Sequence, residues 1–172
     1  MGRDLGLLMQ NSEIRIRRLV TSSEILDVLK KFNLSFPRSI ASRVGDLHSY
    51  ADKLRERAFV MTADMNGVAV GFIACYANDK ASSVAFLAQI AVSESLRGPG
   101  IVFKLMRACI EECKGAAMTK LRLEVDESNV RTIQFYEAIG FSSSGSASVE
   151  SRYMVLNLCK GLWAHTSPLC VS

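Results

Sequence analysis

Residues 86–113 read FLAQIAVSESLRGPGIVFKLMRACIEEC, and this stretch sets the reading of the whole chain. Phe86–Val92 is an apolar run of buried-strand length. Arg97-Gly98-Pro99-Gly100 interrupts it. From Ile101 the apolar residues fall at Ile101, Val102, Leu105, Met106, Cys109, Ile110 and Cys113, with Lys104, Arg107, Glu111 and Glu112 between them. That spacing predicts a helix with one buried stripe. A helix entered directly from a turn leaves its first N–H groups without intrahelical partners. Those donors, with the positive end of the helix dipole, favour an anion such as phosphate. Gly98 and Gly100 allow close backbone approach, and Arg97 adds a charge-assisted contact. The same residues also fit an ordinary strand-to-helix turn whose glycines serve geometry alone.

Composition bounds the answer around this stretch. At 172 residues, 49% hydrophobic and 22% charged, the chain is expected to form one globular domain. A net charge of +4 suits an anionic small ligand, but no dense Lys/Arg stripe marks a nucleic-acid footprint. No segment has the 18 or so consecutive apolar residues of a membrane span. The five cysteines (Cys75, Cys109, Cys113, Cys159, Cys170) form no CxxC and show no metal-ligand clustering along the sequence. Their odd number predicts reduced thiols and a cytoplasmic location. With two histidines, His48 and His165, and no HExxH, no metal site is expected.

Read in order, residues 1–12 are expected to be a loose leader, 13–158 the folded domain and 159–172 a tail. Ile14–Arg17 alternates as a strand. Thr21-Ser22-Ser23-Glu24 is a capping box opening a helix that buries Ile25, Leu26, Leu29 and Phe32. Asn33–Gly45 lacks period and carries Pro37, so it is expected to be an irregular, substrate-facing segment. Asp46–Arg57 follows as a helix. Strands Phe59–Met65 and Val68–Ala77 meet at Asn66-Gly67, a strong hairpin signal. After the central helix, Lys120–Asp126 alternates cleanly. Asn129 then caps a helix ended by Gly140, and Phe141–Ala147 with Ser151–Leu158 can form a last antiparallel pair. The expected fold class is α+β: a single mixed, mostly antiparallel sheet flanked by helices.

This order of elements resembles the GCN5-related N-acetyltransferase (GNAT) superfamily over about residues 13–158, and two motifs carry the resemblance. Arg97-Gly98-Pro99-Gly100-Ile101-Val102 is similar to the family's Arg/Gln-x-x-Gly-x-Gly/Ala pyrophosphate loop. Asn129 to Phe141, NVRTIQFYEAIGF, is similar to its Asn-x-x-Ala-x-x-Phe-Tyr-x-x-x-Gly-Phe. Val102 stands in place of Gly or Ala, Thr132 in place of Ala, and Pro99 removes one N–H donor from the loop.

The resemblance implies transfer of an acetyl group from acetyl-coenzyme A to an amine. It implies a phosphate cradle from Arg97 and the N–H groups of Gly98, Gly100, Ile101 and Val102. It also implies strand-like pairing of the pantetheine arm with the main chain of Ile90, Ala91 and Val92, where an N–H would face the thioester oxygen. Asn129 would contact the cosubstrate. Tyr136 matches the general acid for the leaving thiolate, and it also fits a core aromatic beside Phe135. Glu124, mid-strand on the polar face of LRLEVD, is the candidate base. A solvated or Arg122-paired glutamate, with water as the base, fits equally. Tyr76 and Asn78, at a strand end, are candidate acceptor contacts. The expected substrate is a small-molecule amine, with no nucleic-acid or membrane partner and a monomer or homodimer as the working form. The other reading weighed is a non-catalytic acyl-coenzyme A sensor or assembly module with the same fold.

Overall fold

The computed structural model describes residues 13–96 and 99–161. The expected leader, Arg97, Gly98 and most of the tail lie outside the described residues. Seven strands are found: β1 (Ile14–Leu19), β2 (Phe59–Met65), β3 (Val68–Tyr76), β4 (Val84–Val92), β5 (Lys120–Asp126), β6 (Ser142–Ser146) and β7 (Ser151–Asn157). They form one mixed sheet in the order β1-β2-β3-β4-β5-β7-β6. Five helices accompany it: α1 (Ser22–Lys31), α2 (Ile40–Val44), α3 (Leu47–Arg57), α4 (Pro99–Gly115) and α5 (Val130–Ala138). No helix among the described residues is long and apolar enough to cross a membrane.

The chain divides into two compact units. The first runs to Glu56 and takes in Val60–Ile73 and Ile90–Met106; the second takes in Arg57–Phe59, Ala74–Gln89 and the chain from Arg107 onward.

In the first unit β1 and β2 pair antiparallel from Ile14↔Met65 to Leu19↔Val60. The predicted capping box forms: Thr21 accepts from the Glu24 N–H, and the Glu24 carboxylate accepts from the Thr21 N–H. The same carboxylate takes a 2.6 Å bond from Arg17, whose Nε donates to Asp64 at 3.2 Å. α1 buries Ile25, Val28 and Leu29, with Phe32 just beyond it. Leu26, expected in the core, is only half-buried, because the 3.6-residue period turns the buried face from Ile25 toward Val28. The rings of Phe32 and Phe72 lie 5.4 Å apart. The segment expected to be irregular contains α2, capped by Ser39, whose hydroxyl accepts from the Ser42 N–H. One buried residue, Ile40, anchors that short helix, too little for a periodic signal. At the β2–β3 hairpin Asn66 (φ 52°) and Gly67 (φ 79°) are both left-handed, as the tight turn requires.

In the second unit β4 pairs parallel with β5 over four residues, Val84–Leu87 with Lys120–Leu123. β4 therefore starts two residues earlier than its apolar run, because pairing with Lys120 and Leu121 extends it. β4 runs on to Val92 and β5 to Asp126. β5 and β7 pair antiparallel along their whole length, Lys120↔Asn157 to Asp126↔Ser151. Leu121, Leu123, Met154 and Leu156 are buried, and the SSSGS strand β6 is exposed throughout. Asn129 caps α5, and Gly140 beyond it has φ 107°.

One expectation about cysteine fails. Cys159 is disulfide-bonded, whereas Cys75, Cys109 and Cys113 are free. An odd count establishes only that one thiol stays unpaired, so it never required all five to be reduced, and the cytoplasmic reading loses that support. The three free sulfurs, Cys75 distant in sequence from the neighbouring Cys109 and Cys113, all lie within 4.8 Å of one another.

Candidate active site

The first unit holds the end of β4 and the start of α4. Ile90 is half-buried, and Ala91 and Val92 are buried. Directly after them the Ser93 N–H donates to the Val70 carbonyl at 2.8 Å, tying the end of β4 to β3. Gly71 permits this approach, since a Cβ there would stand 3.0 Å from the Ala91 carbonyl oxygen. One 3-10 turn, Glu94–Leu96, follows.

α4 then begins at Pro99, two residues before its apolar stripe. Proline's fixed φ suits a first helical position, where its missing N–H would have had no intrahelical acceptor. Gly100 is exposed, with no atom within 4 Å of the place its Cβ would occupy. Ile101 and Val102 are half-buried. The N–H groups of Gly100 and Ile101 thus belong to the first turn of a 17-residue helix and have no carbonyl of that helix to bond, whereas Val102, the fourth helical residue, is the first whose N–H is positioned to bond back four residues. An anion fits this turn on three counts: the first-turn N–H groups of Gly100 and Ile101, the dipole, and open space at the glycine. Of the predicted cradle, Arg97 and Gly98 lie outside the described residues.

The second unit holds the other predicted residues. Tyr136 is 6% exposed, its ring 5.6 Å from that of Phe135 and 5.3 Å from that of Phe141. Burial pushes its phenol well above the ordinary value, and negative charge at Cys109 adds to the shift. The group stays protonated at neutral pH, as an acid must. Asn129 Oδ1 accepts from the Thr132 N–H at 3.3 Å, which leaves its NH2 group outside the cap. Tyr76 ends β3, half-buried, and Asn78 is exposed in the loop beyond.

Glu124 is exposed on β5, and its Oε1 accepts a short hydrogen bond from the Ser151 hydroxyl. Ser151 in turn lies 2.7 Å from the Ser148 hydroxyl. The Arg122 pairing weighed for Glu124 does not form: the Arg122 guanidinium stacks 3.6 Å from the Tyr153 ring centroid. Ser151 escaped sequence reading because only the β5–β7 register brings it near Glu124. His48 lies exposed on α3.

Comparison with curated proteins gives no match. Among solved structures the chain is similar to yncA, a putative acetyltransferase from Salmonella typhimurium solved with its cofactor acetyl-CoA. That match has 17% identity and a TM-score of 0.70, covering 87% of this chain and 96% of that one. It is also similar to the ribosomal-protein-S18-alanine N-acetyltransferase of Escherichia coli, at 21% identity and a TM-score of 0.67, with coverage of 87% and 96%. A third is the IAA acetyltransferase of Bacillus cereus, at 21% identity and a TM-score of 0.63, with coverage of 85% and 100%. At these identities the likeness establishes the fold. The family model for the Acetyltransferase (GNAT) family matches residues 25–141. That span runs from the first helix through the glycine turn to the residue after Gly140, and with it the chain belongs to the Acetyltransferase (GNAT) family.

Proposed function

We propose that the protein is an acetyl-CoA-dependent N-acetyltransferase that moves an acetyl group to the primary amine of a small molecule. The observation that carries this reading is the start of α4 at Pro99, a first helical turn with clear space at Gly100 that follows β4 and the 3-10 turn Glu94–Leu96.

Acetyl-CoA supplies the activated acyl carbon; everything else falls to side chains and main chain of this protein. In this reading the N–H groups of Gly100 and Ile101, with Arg97, Gly98 and Val102, hold the diphosphate. The main chain of Ile90, Ala91 and Val92, beyond the last β4 residue paired with β5, takes the amide-bearing arm as an added strand. An N–H of that segment faces the thioester oxygen as negative charge develops there. Asn129 contributes its free NH2 group. Tyr136 hydrogen-bonds the departing sulfur. Its raised phenol is a weaker acid than a thiol of ordinary pKa near 8.5, so its proton moves only as charge builds on sulfur. Glu124, held by Ser151, takes the proton of the incoming amine directly or through one water. Tyr76 and Asn78 flank the acceptor.

A thermal-shift titration with acetyl-CoA, followed by thiol-release assays over amino acids, amino sugars, polyamines and peptide N-termini, tests the proposal. Stabilisation by acetyl-CoA with thiol release on at least one amine class supports it. Binding without release on any amine indicates an acyl-CoA sensor, and absence of binding removes the reading altogether.

A further inference from the structure

Three cysteines of the second unit, one from the end of β3 and two from α4, converge inside the protein. Cys109 and Cys113 are four apart on α4, so they share one face on adjacent turns. Cys75 comes from the penultimate position of β3. All three sulfurs lie within 4.8 Å of one another, and the Sγ atoms of Cys75 and Cys113 are 3.7 Å apart. Each residue is 0% exposed.

Two thiols side by side are common in cores, where cysteine behaves as a small hydrophobe. Three at the corners of one small triangle satisfy a stricter geometry. A metal bonded to three thiolates at about 2.3 Å in a plane places the sulfurs about 4 Å apart, which falls inside the observed spread. The ligand set also discriminates among metals. Thiolates select soft ions such as zinc and monovalent copper. Zinc in a closed site takes four ligands, and among the described residues no histidine or carboxylate joins the three sulfurs. Complete burial also separates the sulfurs from bulk solvent. A d10 ion content with three sulfurs is the one that fits.

We propose that Cys75, Cys109 and Cys113 form a buried site for a single Cu(I) ion, joining the end of β3 to the second half of α4. Binding forms copper–sulfur bonds and breaks S–H bonds, each ligating thiol releasing one proton to solvent. The ion arrives already monovalent, so no electron changes hands. None of the three residues was assigned a part in the acetyl-transfer reading, although Cys109 lies near enough to Tyr136 for its charge to act on that phenol.

The test uses the full chain with the Cys159 disulfide intact, kept free of oxygen and titrated with Cu(I) against a chromogenic Cu(I) chelator. One copper per chain is expected to be retained, with thiolate-to-copper ultraviolet absorption, a sulfur-only shell by X-ray absorption and a higher Tm. Cys75→Ser, Cys109→Ser and Cys113→Ser should each weaken retention about tenfold or more, with circular dichroism confirming the fold. Should one of them fail to fold, the milder Cys75→Ala and Cys113→Ala variants carry the test. Cys159→Ser, outside the cluster, should retain copper as wild type does. Failure to hold copper against the chelator overturns the site, as does retention unchanged in the cluster variants or lost in Cys159→Ser. Preferential zinc uptake, or oxidation of the trio to a disulfide that excludes the metal, overturns it equally.

Discussion

The hydroxyl of Ser151, at the start of β7, donates to the carboxylate of Glu124 on the adjacent strand β5. The bond fixes an otherwise exposed acid in one orientation and occupies one of its two oxygens. The other remains available to an amine or a water. If Glu124 is the base, Glu124→Gln keeps the acceptor and removes the basicity. Its kcat/KM for the amine should fall roughly tenfold to a hundredfold, while acetyl-CoA binding by thermal shift stays the same. Ser151→Ala should cost less and act on the same parameter. Equal turnover in Glu124→Gln would hand the proton transfer to water.

Tyr136 separates its two readings by a single atom. Tyr136→Phe keeps the ring against Phe135 and Phe141 and deletes only the hydroxyl. A core aromatic would tolerate this with little loss, whereas a proton donor would not. The expected result is a drop in kcat of roughly a hundredfold with unchanged acetyl-CoA affinity. The phenol is held above its ordinary value near 10. Its ionisation therefore cannot produce any alkaline fall in rate below about pH 10, and a fall there would have to come from another group.

The strands and helices were legible because each carries its own period and punctuation. Lys120–Asp126, the Asn66-Gly67 hairpin and the Thr21/Glu24 box form as their residues predict. Partnerships made by register were not legible. Ser151 meets Glu124 only because β7 pairs antiparallel with β5. Cys75 meets Cys109 and Cys113 only through packing, although the four-residue spacing of the latter two already placed them on one helix face. α2 was missed for a related reason: five residues with one buried anchor give no period to detect.

The Arg17–Glu24 pair gives stability a defined pH dependence. The Arg17 guanidinium, then the N–H groups of Val20 and Thr21, pull the Glu24 carboxyl down to about 2, from an ordinary value near 4.3. The charged form is favoured in the folded state, so its contribution is complete above about pH 4.3. It is lost as pH falls through about 2. Both side chains are substantially exposed, so the contribution is modest, at most about 1 kcal/mol. Glu24→Gln should lower the urea midpoint at pH 7 and converge on wild type toward pH 2. A constant difference across that range would mean the charge contributes nothing.

Gly71 and Gly100 make opposite predictions for the same substitution. At Gly71 an alanine Cβ would stand 3.0 Å from the Ala91 carbonyl oxygen and 3.2 Å from both Leu105 Cδ1 and Val92 Cγ2. The oxygen is main chain and cannot swing aside, so Gly71→Ala should cost about 1–3 kcal/mol in urea unfolding. At Gly100 nothing lies within 4 Å, and the backbone needs no left-handed conformation. Alanine is the better helix former by about 0.8–1 kcal/mol, so Gly100→Ala should leave Tm unchanged or raise it. If diphosphate oxygens approach that Cα, the new methyl occupies their space and the acetyl-CoA thermal shift shrinks. A more stable protein that binds acetyl-CoA less well is the signature of a glycine kept for its ligand. A shift as large as in wild type would show that the first turn of α4 does not receive the diphosphate.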